Sequence, residues 1–118
     1  MKIYDLEERL VQFSASIIII GITTLKKTFA SEHLTKQLIR SATSAALNYG
    51  EAQAAESKRD FIHKMKICLK ELRESQINLK ILKEADLIMD DEKMKSITQE
   101  CKELVAIFTS SIKTTKEK

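Results

Sequence analysis

Apolar residues recur along most of the chain in alternating steps of three and four, the spacing that gives a helix one continuous seam. In the first stretch Leu6, Leu10, Phe13, Ile17, Ile20 and Thr24 follow this rhythm. The spacing predicts a helix over 5–27, with Asp5 capping its free amides and Glu8 completing a capping box. A second stripe, Val11, Ile18, Ile22 and Leu25, lies beside the first. That is more apolar surface than one outer helix of a small bundle buries, and it points to a subunit interface. The alternative is an ordinary buried helix of a monomer. Gly21 inside this helix costs about 1 kcal/mol against Ala, a cost that close approach of another backbone would offset.

Three further helices follow from the same pattern. Ser31 is the expected cap of a helix over 32–55, whose seam is Leu34, Leu38, Ser41, Ala45, Asn48, Ala52 and Ala55. Ser57 caps the next, over 58–84, with Asp60 in its first turn and Phe61, Met65, Cys68, Leu72, Ser75, Leu79 and Leu82 on its seam. Asp90 or Asp91 opens the last, over 91–114, with Met94, Ile97, Cys101, Leu104, Phe108 and Ser111 inward and KTTKEK as a frayed polar tail. Short connections make successive helices antiparallel. The expected fold is all-α, an up-down-up-down four-helix bundle that uses residues 1–118 as a single domain.

Composition narrows the function classes. Proline is absent and glycine occurs twice, as a nearly all-helical chain requires, and aromatics are only 5%. An aliphatic core follows, with few rings on which bases could stack, so sequence-specific reading of single strands is disfavoured. The start lacks the basic region of a signal peptide, and Leu10 to Leu25 is interrupted by Gln12, Ser14, Ser16, Thr23 and Thr24. A cytoplasmic protein with no membrane contact is expected. Cys68 and Cys101 fall on seams and read as free thiols, while His33 and His63 sit on different helices. No metal-ligand spacing, glycine-rich phosphate loop or nucleophile beside an oriented base is present, so no catalytic residue, metal or cofactor is assigned.

Two polar stripes remain to be explained. Arg40, Ser41, Ser44, Asn48 and Glu51 run down the second helix at helical spacing. If the hairpin turns near Glu56, residue i on the second helix stands opposite about 112 − i on the third. That sets Arg40 near Glu71 and Glu74, Ser44 near Cys68 and Glu71, and Asn48 and Glu51 near Lys64. The stripe is read as an inter-helix polar network that fixes register. The second stripe is Arg59, His63, Lys66, Lys70, Arg73 and Lys80 on the third helix, away from its seam. Segment 57–84 carries +4 of charge in a chain whose net charge is +3. Such a row can hold phosphates of RNA or DNA without reading bases; the alternative is a solvated face of a structural or protein-interaction module. Arg59 and His63 also loosely resemble the Arg and His of helical-bundle ribonucleases of toxin systems, a third reading.

The stretch QLIRSATSAALNYGEAQAAESKRDFIHKMKICLKELRES resembles the signature of a four-helix-bundle family first met as proteins encoded in intervening sequences of bacterial 23S ribosomal RNA genes. The matching positions are Arg40, Ser41, Ser44, Asn48, Glu51, Ala52, Ser57, Asp60, Phe61, Lys64, Leu69, Lys70, Glu71 and Glu74, and DLEERLVQFSASII is similar to that family's first helix. Relatives carry Pro at the turn after helix one and at the junction of helices two and three, where this chain has Lys26 and no Pro. The resemblance implies a homopentameric ring with a central channel. It also implies similarity to the accessory protein of diversity-generating retroelements, which partners a reverse transcriptase and binds nucleic acid through basic surface.

Overall fold

The computed structural model describes residues 5–23 and 25–118. Four helices account for nearly all of them: α1 Leu6–Thr23, α2 Phe29–Gln53, α3 Lys58–Glu84 and α4 Asp91–Glu117. Each packs on its neighbours in chain order and α4 returns to α1, whereas the diagonal pairs do not pack backbone to backbone. With short connections this order gives an antiparallel up-down-up-down four-helix bundle, 46 × 28 × 20 Å.

The predicted seams converge on one core. Leu10, Phe13, Ile17 and Ile20 meet Leu38, Ala42 and Ala45, then Met65, Cys68, Leu72, Leu79 and Leu82, then Cys101, Leu104 and Phe108, all buried. The Phe108 ring crosses the middle to meet Tyr49 edge-on, with centroids 5.7 Å apart. Burial pushes the Tyr49 hydroxyl above its ordinary pKa and lifts both thiols to about 12, so Cys68 and Cys101 are inert parts of the core.

Helix limits depart from the expected ones by more than two residues in three places, each for a local reason. The first helix ends at Thr23 rather than 27 because the chain turns away: Leu25 forms an isolated antiparallel bridge with Ile88, and the Lys26 amide donates to the Leu87 carbonyl at 2.9 Å. Leu25 therefore leaves the second apolar stripe and joins the core, 4% exposed. The seam position expected for Thr24 lies outside the described residues. The second helix starts at Phe29, capped by Thr28 rather than Ser31. Thr28 Oγ1 accepts from the Ser31 amide and Ser31 Oγ accepts from the Thr28 amide, each at 3.0 Å, so Ser31 is the third residue of the box. The last helix runs on to Glu117, so the KTTKEK tail does not fray. Ile112, not Ser111, is the buried residue there, and half-buried Thr115 donates to the Ser111 carbonyl at 2.8 Å. The third helix occupies Lys58–Glu84 as expected, with Ser57 accepting from the Asp60 amide.

Gly21 does serve close approach, though to a side chain and not a backbone. A Cβ there would stand 2.6 Å from Thr35 Cγ2 of α2. Val11, Ile18, Ile19 and Ile22 of α1 are left on the outside, Ile22 67% exposed. Among the described residues no helix is long and apolar enough to cross a membrane.

Candidate nucleic-acid interface

Packing of α2 on α3 brings the first polar stripe to its partners. Glu51 accepts from Lys64 Nζ at 2.6 Å, and this bond, with the attraction behind it, raises the Lys64 pKa. Arg40 reaches two carboxylates, Nη1 to Glu71 at 3.7 Å and Nη2 to Glu74 at 3.4 Å. Ser41 and Ser75, both buried, share a hydrogen bond of 2.7 Å across the interface. Asn48 does not reach Lys64: it donates within its own helix to the Ser44 carbonyl and hydroxyl, at 2.9 and 3.1 Å. Pairs 51–64, 40–74 and 41–75 place the register close to the expected one, slipped by a few residues.

Using its acids inward leaves the other side of α3 basic. Glu71 and Glu74 turn toward α2, whereas Arg59, His63, Lys66, Lys70, Arg73 and Lys80 are all exposed. None of these six makes an ion pair among the described residues. The helix therefore sorts its charge by face, a pattern that net charge alone does not reveal.

A second basic row, which the sequence reading missed, stands on α4. There Lys102, Thr109, Lys113 and Lys116 follow at steps of seven, four and three, all exposed. Lys116 crowds against Lys66 of α3, and this contact with a like charge pushes its pKa down. With 66 level with 116, the antiparallel run sets Lys70 near the level of Lys113 and Lys80 near that of Lys102. Two acids of α4, Glu100 and Glu103, go the other way. Glu100 takes a two-pronged bond from Arg9 of α1, Nε at 3.0 Å and Nη2 at 2.7 Å, and Glu103 accepts from the same Nη2 at 3.0 Å. These bonds raise the Arg9 pKa, and those from Gln99 and Arg9 lower that of Glu103. Residues 90–118 sum to zero charge, which hid this sorting; the signal was the helical spacing of Lys102, Lys113 and Lys116, eleven and three apart.

Together α3 and α4 form a ridge with two rows of cations. A ridge of this kind can neutralise a row of phosphates. No group of three or more metal-ligating side chains occurs among the described residues, and the exposed His63 has no carboxylate partner there.

Comparison with known proteins fits this architecture. No functionally curated protein matches the chain. A crystal structure of a protein of unknown function from the S23 ribosomal protein family, from Bacteroides thetaiotaomicron, is 29% identical and superposes with a TM-score of 0.78. The match covers 92% of this chain and 98% of that one. The family model described as 23S rRNA-intervening sequence protein matches residues 5–110, and the chain belongs to that family.

Proposed function

We propose that the protein is a non-enzymatic helical-bundle module that self-assembles and holds structured RNA or DNA by its phosphate backbone along the α3–α4 ridge. The observation that carries this reading is the sorting of charge along the middle of both helices: Glu71 and Glu74 of α3 and Glu100 and Glu103 of α4 are paired with neighbouring helices, and the bases of the ridge are left outside and largely unpaired. Binding of this kind is sequence-tolerant and salt-dependent. Reversing Lys66, Lys70 and Arg73 to Glu should abolish binding of a structured RNA at about 0.1 M salt, measured by fluorescence anisotropy. Neutralising the same three residues should flatten the salt slope by about 3. No binding to either duplex or structured RNA at low salt overturns the reading.

Self-association is carried by α1. Its outer face of Val11, Ile18, Ile19 and Ile22 is apolar where an outer helix ordinarily turns polar. The family resemblance points to a homopentamer, and a ring would repeat the basic ridge once per subunit. Ile18→Glu with Ile22→Glu should give a folded monomer by sedimentation; a wild-type chain already monomeric at micromolar concentration defeats the assembly idea. The same apolar face favours a second reading, a protein-interaction module with no nucleic-acid role. Under that reading the ridge reversal changes no interaction.

A further inference from the structure

Between α2 and α3, beside the basic ridge, lies an open cavity of about 230 Å³. Its lining includes Gln37 and Arg40 from α2 and Glu74, Ile77, Asn78 and Ile81 from α3. Ile77 is 57% exposed and occupies the helical step between Arg73 and Lys80, so it interrupts the basic stripe with an apolar window onto the cavity.

The polar groups of this cavity are unevenly satisfied. Asn78 is 7% exposed, and its Nδ2 is tied to the Leu34 carbonyl at 3.2 Å, which leaves Oδ1 buried with no hydrogen-bond partner among the described residues. Such an orphaned acceptor costs free energy in the unliganded protein. Glu74 supplies a second acceptor, engaged among the described residues only by Arg40 at 3.4 Å. Arg40 is 63% exposed and held by that contact and one of 3.7 Å to Glu71, which leaves most of its donors unused. Gln37 is exposed as well.

We infer that this cavity accepts one unpaired guanine base of the nucleic acid held on the ridge, an inference that rests on the proposed function. The order of donors and acceptors in the cavity selects this base. Among the four RNA bases only guanine presents two adjacent donors, N2–H₂ and N1–H, next to an acceptor, O6. Adenine, cytosine and uracil each offer one donor position on that edge. Two acceptors, Asn78 Oδ1 and the Glu74 carboxylate, with a guanidinium at Arg40, match the guanine edge and mismatch the others. Ile77 and Ile81 supply an aliphatic wall for the ring face, in place of the aromatic platform that the sequence lacks. Arg73 and Lys80, one on each side of Ile77, stand where the phosphates flanking an inserted base would run.

The test uses the full chain and a short RNA hairpin with one guanosine in its loop, compared by fluorescence anisotropy with versions carrying inosine, adenosine or cytidine there. The guanosine hairpin should bind about tenfold more tightly than each of the others, inosine included because it lacks the N2 amine. Glu74→Gln, at a partly exposed position where folding is not at stake, should bring the guanosine hairpin to the level of the inosine one with the same variant. Asn78→Leu should do the same, with its helical content and melting temperature recorded alongside. Equal affinity for all four hairpins, still steeply salt-dependent, overturns the guanine site and leaves the ridge reading standing. Binding of none of them overturns both. A guanosine preference that survives Glu74→Gln overturns the assignment of the cavity.

Discussion

The α2–α3 and α1–α4 interfaces are built by opposite rules. The buried residues of α2 are mostly small or hydroxylic, Ser41, Ala42, Ala45 and Ala52 among them, Ser41 bonds Ser75 of α3, and α2 and α3 share the most extensive contact in the bundle. Across α1–α4 contact is the least extensive, and a groove of about 380 Å³ opens, lined by Gln12, Phe13, Ser16, Ser96, Ile97 and Glu100. Only the Arg9 bonds to Glu100 and Glu103 span it by ion pairing among the described residues. Small side chains let backbones approach and bring the buried Ser41 and Ser75 hydroxyls together at 2.7 Å, while at the more open interface the helices are tied by the Arg9 fork on Glu100 and Glu103. Register is thus specified on one side of the bundle, and the other side is held chiefly by the common core.

That contrast can be broken by substitution. Ala45→Leu places a large side chain in the tight interface and should cost about 1–3 kcal/mol or more by urea denaturation, whereas Ser96→Leu in the groove should stay within about 0.5 kcal/mol. Equal costs would mean that the two interfaces are equally packed. Ser41→Ala strands the Ser75 hydroxyl and should cost about 1–2 kcal/mol; adding Ser75→Ala should recover part of this loss, a non-additivity visible in a double-mutant cycle. Arg40→Met removes the countercharge of Glu71, which is 6% exposed, and should destabilise by about 1–2 kcal/mol. Arg9→Met at the more open interface removes a pair whose partners are both about one-third exposed and should cost under about 1 kcal/mol, and a larger loss there would invert the comparison.

Alkali should probe the core between the two interfaces. Cys68 and Cys101 have an ordinary thiol pKa of 9.0 and are held at about 12 in the fold by burial. Their folded-state pKa is raised, so their contribution is complete below pH 9 and is lost as pH climbs toward 12, by up to about 1.4 kcal/mol per pH unit per thiol. Cys68→Ala with Cys101→Ala should flatten that alkaline fall. A thiol reagent at pH 8 should leave both residues unmodified until the chain unfolds.

The α2–α3 hairpin was the most legible part of the chain. Its seams and charges lie within continuous helices, where spacing translates directly into faces, and Ser57 caps the third helix, so Lys58–Glu84 and the Arg40 and Glu51 contacts could be anticipated, whereas the cap of α2 fell on Thr28 and not Ser31. The end of α1 was not legible, because what stops it is a pairing with Ile88, a residue 63 positions away in sequence. Asn48 misled because a side chain one turn from Ser44 has a local acceptor that competes with any partner across the interface. The α4 lysines and the orphaned Asn78 oxygen needed the neighbouring helix in place, since the first depends on which flank faces α3 and the second on which acceptor is left over.

The bridge between Leu25 and Ile88 has a consequence for exchange with solvent. It ties the α1–α2 connection to the α3–α4 connection at one end of the bundle, with the Lys26 amide bonded across the gap to Leu87. An amide in a connecting segment ordinarily trades its hydrogen within seconds of local opening. Here the donor and acceptor belong to different helical hairpins, so the bond opens when the hairpins separate. Lys26 sits outside every helix and should nonetheless carry the slow deuterium uptake of the core, a single-residue clock for the parting of the two halves.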